Sequence, residues 1–181
     1  MTAYLAILRG VNVSGHNRVK MADLERVFRG LGHSGVDTFI QSGNVIFSSP
    51  DAGPTELVRG IEEALALELG LKVSVLLRSR GEMERVIQES PFRAGGRDLT
   101  KLHVTFLAEE PKRSLGDSFD PQAFRPDECR LGTREVYLYC PLGYGRTRLN
   151  NSFWERRLGV AATTRNWNSV TRLTDLLREL A

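Results

Sequence analysis

The amino-acid sequence predicts an α+β fold: two ferredoxin-like (βαββαβ) units in tandem with an extra C-terminal helix. Three observations carry that expectation. Apolar runs of strand length alternate with 3.6-period stripes in the order β-α-β-β-α-β over residues 1–78. Residues 101–181 repeat the order strand, helix, hairpin, helix, strand without repeating the residues themselves. Between them, residues 79–100 read as a helix and a linker that contains Gly95-Gly96. At 181 residues, 41% hydrophobic and 26% charged, the chain has the apolar content such cores need.

In chain order, Tyr4–Leu8 is continuously apolar and reads as a strand buried on both faces. Leu24, Val27, Phe28 and Leu31 fall on one helical face, stopped by Gly32. Val36–Ile40 and Val45–Phe47 read as strands joined by Gln41-Ser42-Gly43-Asn44, with Ser-Gly as a two-residue turn. Pro54 opens a helix whose stripe is Leu57, Val58, Ile61, Leu65 and Leu69, and Gly70 ends it. Val73–Leu77 is the fourth strand. Ser79 and Glu82 form an S-x-x-E capping box for a helix that runs up to Pro91. Leu102–Leu107 is a strand, and Pro111–Phe119 is expected to hold a short helix. Cys129–Leu131 and Val136–Tyr139 form a second hairpin around Gly132-Thr133. Leu149–Leu158 is helical, with Ser152-x-x-Glu155 as its capping box. Ala161–Thr164 is a last strand, and Val170, Leu173, Leu176, Leu177 and Leu180 mark the final helix, capped by Thr164 or Asn166.

Net charge is +3 and the pI is about 9.1, a mild excess that is unevenly spread. No acidic residue precedes Asp23, and Glu155 is the only one between Val136 and Thr174. Such asymmetry points to an anionic partner. No apolar run reaches the ~20 residues that span a bilayer, and the N-terminus lacks a signal-peptide pattern, so no membrane partner and a cytoplasmic location are expected. A turn at Gly132-Thr133 sets Cys129 opposite Val136, four residues out of step with Cys140, which predicts two free thiols. Three scattered histidines give no metal-ligand spacing, and no cofactor motif is present.

The segment most suited to function is the loop 9–20. It carries Arg9, Arg18 and Lys20, with Asn12, His16 and Asn17 between them. Gly10 and Gly15 let backbone N–H groups converge on an anion. It matches neither a Walker A loop nor G-x-G-x-x-G. Gln41, Ser42 and Asn44 offer a polar hairpin tip, and Arg165 with Asn166 precede the last helix, where the dipole favours negative charge. Trp167 reads as core. Leu142–Arg148 is a glycine-rich basic loop suited to contacts with phosphate.

Leu8–Asn17, Phe39–Phe47 and Ala162–Asn168 together resemble, essentially along the whole chain, a bacterial family catalogued as domain of unknown function 1697. The resemblance implies an α+β fold of ferredoxin-like units and no established activity, so it assigns no catalytic residue. It also implies that the three segments belong together, as one composite site.

The functional expectation is an anion-binding protein whose ligand is a phosphate-bearing small molecule or a nucleic acid. Two alternatives stand beside it. One is an enzyme acting on a phosphate or carboxylate substrate. There Arg9 and Arg165 would clamp the anion, His16 or Glu155 would move a proton, and Asn12, Asn17 and Asn44 would orient the substrate. The other is an interaction module without catalysis. Oligomeric state is not legible.

Overall fold

The computed structural model describes residues 1–50 and 53–180; Ala181, the end of the expected second half, lies outside them. The chain divides into two units, Met1–Glu84 with Arg172–Ala181, and Arg85–Thr171. Each holds one four-stranded antiparallel sheet, and five α-helices among the described residues complete the α+β fold.

In the first unit, β1 (Thr2–Leu8) pairs with β3 (Asn44–Ser49) and β4 (Val75–Ser79), and β2 (Ser34–Thr38) flanks β3. Two helices, α1 (Met21–Gly30) and α2 (Pro54–Leu69), connect them. Leu24, Val27 and Phe28 of α1 pack with Leu57, Ile61 and Leu65 of α2 on Tyr4, Ala6 and Leu8. Leu5 and Ile7, which point to the opposite side, are also fully buried, so β1 is buried on both faces as its apolar run predicts. Pro54 stands at the first position of α2, and Gly70 caps it at φ 62°.

The Ser79–Glu82 box is present at the start of α3 (Arg80–Glu89). The Ser79 N–H donates to Glu82 Oε2 at 2.8 Å, and the Glu82 N–H donates to Ser79 Oγ at 3.3 Å.

The first hairpin departs from expectation. Thr38 pairs with Val45 and the Phe39 N–H donates to Asn44 O, so four residues, Ile40–Gly43, make the connection. Ile40 leaves the strand at φ 53° and is exposed, because the loop is closed by side-chain bonds rather than by a two-residue turn.

The second unit repeats the strand order. β5 (Leu102–Leu107) lies between β7 (Glu135–Tyr139) and β8 (Ala162–Asn166), with β6 (Glu128–Leu131) outside β7. Its core joins Leu107, Val136 and Leu138 to Trp154 and Leu158 of α4 (Asn151–Leu158). The last helix, α5 (Trp167–Glu179), follows β8 directly.

Three expectations need correction here. Pro111–Phe119 is irregular: the Lys112 and Arg113 N–H groups turn to Leu158 O at the end of α4, and Arg157 donates to Leu115 O. A short 3₁₀ turn, Pro121–Phe124, follows instead, capped by Asp120. The cap of α4 is Asn150, whose Oδ1 accepts from the Phe153 N–H at 2.9 Å, and Glu155 accepts from the Ala162 N–H. The hairpin turns at Thr133-Arg134, one residue later than predicted, because the Gly132 N–H closes on Glu135 O. Cys129 therefore faces Leu138 rather than Val136; both thiols are nonetheless free.

Candidate functional site

Loop 9–20 leaves β1 and is pinned where it departs. The Leu8 N–H donates to Gly43 O at 2.8 Å and the Arg9 N–H to Ser74 O at 3.0 Å. Val11 is buried beneath it. Five of its residues adopt left-handed backbone: Gly10, Asn12, Ser14, Gly15 and Asn17. Glycine and asparagine tolerate that region best, which is why this composition serves a tightly coiled loop. A small turn, Val13–His16, closes through the His16 N–H and Val13 O at 2.9 Å.

Asn12 is the internal tie of the loop. Its Oδ1 accepts from the Val19 N–H at 2.9 Å, while Nδ2 donates to Val19 O at 3.0 Å and to Gln41 O at 2.9 Å. Asn17 Nδ2 donates to Gly10 O at 3.1 Å. Asn44 is fully buried, and its Nδ2 donates to Phe39 O and Ser42 Oγ. These amides shape the two loops and join them.

What the loop presents outward is different. His16, Arg18 and Lys20 are exposed, and Arg9 is half-buried. Asn12, Gly15, Arg18, Lys20, Asp23 and Gln41 line an open cleft of about 750 Å³. The Arg18 guanidinium lies over Gly15, where a Cβ would sit 3.4 Å from Nη2. Lys20 is the N-cap of α1 and makes no side-chain capping bond. Neither Arg18 nor Lys20 has an ion pair among the described residues. A lysine at an uncapped helix N-terminus opposes the dipole, so the local field favours an anion there. Asp23 in the first turn offsets part of that field and lies 3.9 Å from Arg26.

Arg165 and Asn166 belong to the second unit. Arg165 is 9% exposed, and its Nη1 donates to Thr163 Oγ1 and Thr164 O, each at 3.0 Å. Burial lowers its pKa to about 10, so it stays cationic at neutral pH. Asn166 caps α5, its Oδ1 accepting from the Ser169 N–H at 2.8 Å.

Sequence reading passed over Arg78, which occupies the same place in the first unit. Arg78 is the fourth residue of β4, is buried, and donates to Leu77 O; Ser79 then caps α3. Strand, arginine, cap and helix thus recur as one device in both units. The only signal in the sequence is the pair Arg78-Ser79 and Arg165-Asn166 at matching strand ends. Also missed is a hydroxyl network in the second unit. Tyr144 donates to Thr164 Oγ1 at 3.1 Å, Thr164 donates to Asn151 Oδ1 at 2.6 Å, and Thr105 completes it at 2.8 Å from Thr164.

Among the described residues no three His, Cys, Asp or Glu side chains are grouped to hold a metal ion. Among the described residues no helix is long and apolar enough to cross a membrane.

Comparison with known proteins gives a structural neighbour and a family. The structure of a conserved bacterial protein from Streptococcus pneumoniae superposes with a TM-score of 0.73 over 97% of this chain and 98% of that one. At 23% identity the likeness is one of fold. No curated protein matches. The family model described as Protein of unknown function (DUF1697) matches residues 1–137, a span that holds loop 9–20 and Gln41–Asn44 and ends before Ala162–Asn168. The chain belongs to the DUF1697 family.

Proposed function

We propose that the cleft at the head of α1 binds a phosphate-bearing small molecule. The observation that carries this reading is the pairing of two cations, Arg18 and Lys20, that have no ion pair among the described residues, with a helix N-terminus that has no side-chain cap. Gly15 and the coiled backbone beside it supply N–H groups at the same rim. Asn12, Asn17 and Asn44 act as scaffold in this reading, since their amides hold the two loops. A compact phosphate is favoured over a nucleic acid because the cationic rim is confined to a few residues, where a strand needs a long basic track.

The test is calorimetric titration of the full chain with inorganic phosphate, pyrophosphate, a nucleoside diphosphate and a single-stranded oligonucleotide. R18A/K20A is expected to weaken binding of the phosphate ligand by about tenfold or more, as loss of charge-assisted hydrogen bonds does. Unchanged affinity in that variant, or no heat with any phosphate probe, overturns the proposal. Tight binding by the oligonucleotide alone, falling steeply with salt, would replace it with the nucleic-acid reading.

A further inference from the structure

The second unit holds a cavity of about 610 Å³ whose lining includes Leu99, Thr100, His103, Asn166, Trp167 and Asn168. Among the described residues no Asp, Glu, Lys or Arg lines it. Two of its walls are aromatic, and unengaged polar groups stand among them. Trp167 is 5% exposed, yet its indole N–H has no acceptor among the described residues, and the nitrogen is not sealed from solvent. This N–H is left to solvent, and Trp167 lines the cavity, so a molecule that displaces that solvent is placed to accept from it.

His103 completes the pattern. Its Nδ1 lies 3.3 Å from Lys101 O, and a carbonyl only accepts, so Nδ1 carries the proton. Nε2 is then an acceptor, with no partner among the described residues. The ring stacks on Tyr144 at 5.0 Å, which fixes its plane. Burial lowers the His103 pKa, which keeps the imidazole neutral at physiological pH. Asn166 spends its side-chain oxygen on Ser169, and its NH₂ is left over as a donor.

We infer that this cavity binds an uncharged heteroaromatic ring of the nucleobase class, which accepts from the Trp167 indole and donates to His103 Nε2. Uncharged walls favour an uncharged ligand, aromatic walls a flat one, and the volume accommodates a base or a nucleoside. The inference is independent of the anion cleft, which lies in the other unit.

The chain supplies its own control. It has two tryptophans, and the Trp154 indole already donates to Leu149 O at 3.0 Å. In a ¹H–¹⁵N spectrum of the full chain, the Trp167 peak is assigned by its loss in W167F. Titration to about 10 mM with uracil, hypoxanthine, uridine and adenosine spans weak affinities, with benzoate and cyclohexanol as controls. The Trp167 indole peak should move saturably with at least one base or nucleoside, while the Trp154 peak stays fixed. H103F keeps a ring and removes the acceptor, and should weaken binding about fivefold or more. L99E alters an exposed rim residue, leaves the core untouched, and should do the same. A Trp154 peak at its parent position confirms that each variant is folded. A Trp167 peak that stays still throughout, or that moves equally with benzoate or cyclohexanol, overturns the inference. So does unchanged affinity in folded L99E or H103F.

Discussion

Replacing Asn12 by alanine removes three hydrogen bonds from a residue that also sits at φ 55°. A net intramolecular hydrogen bond is worth about 1 kcal/mol, and because Asn12 is half-buried, water recovers part of the loss; the three together come to about 2 kcal/mol. Alanine in the left-handed region adds about 1 kcal/mol, a cost that glycine escapes. N12A should therefore destabilise the first unit by about 3 kcal/mol, and N12G by about 2. At ~2–4 °C per kcal/mol for a chain of this size, N12A lowers Tm by roughly 6–12 °C. Both tryptophans lie in the second unit, so their fluorescence does not report on this loop. Amide exchange at Leu24 and Val27, together with denaturant unfolding followed by far-UV circular dichroism, does. A parent protein whose Val19 amide exchanges freely would refute the reasoning. So would N12A within about 0.5 kcal/mol of the parent, the range of a bland surface change.

Gly43 sits at φ 76°, and a Cβ there would lie 3.0 Å from Leu8 Cβ and 3.2 Å from Val11 Cβ; G43A should cost about 2–4 kcal/mol by strain plus overpacking. G70A, at φ 62° with open space around it, should cost only about 1 kcal/mol, and equal losses in denaturant midpoint would contradict the packing argument. Burial raises both the Cys129 and Cys140 thiols to about 11, so at pH 8 the native protein should react with a disulfide reagent about a hundredfold more slowly than the unfolded chain. Rapid stoichiometric labelling of the native state would oppose this. His33 has a buried Nδ1 without a partner, its ring lies tilted against Phe47 at 4.6 Å, and desolvation lowers its pKa below 6.5. The unfolded chain therefore binds the proton more readily. The stability contributed by neutral His33 is complete above pH 6.5 and is lost as pH falls towards the lower folded value. H33F should flatten the urea midpoint between pH 8 and pH 5, and an unaltered pH dependence would remove His33 from the account.

The sequence alone determined the succession of strands, the α+β class and most helix ends. Pro54, Gly70, the Ser79–Glu82 box and Asn166 all stand where capping chemistry requires them. Those signals are local: a cap or an amphipathic stripe involves residues within about four positions of one another, so the chain states them directly. Tertiary structure decided the rest. Hairpin register moved because the Gly132 N–H found Glu135 O, and because Asn44 closed the Ile40–Gly43 loop with its side chain. Pro111–Phe119 gave up its helix to the free carbonyl at the end of α4. Asn12, read from the sequence as a group that would face a substrate, ties its loop to Gln41, 29 residues away. An amide side chain looks the same in a sequence whether it meets a ligand or a carbonyl. Only the folded backbone, by bringing distant donors and acceptors within 3 Å of Asn12, reveals that it ties the loops.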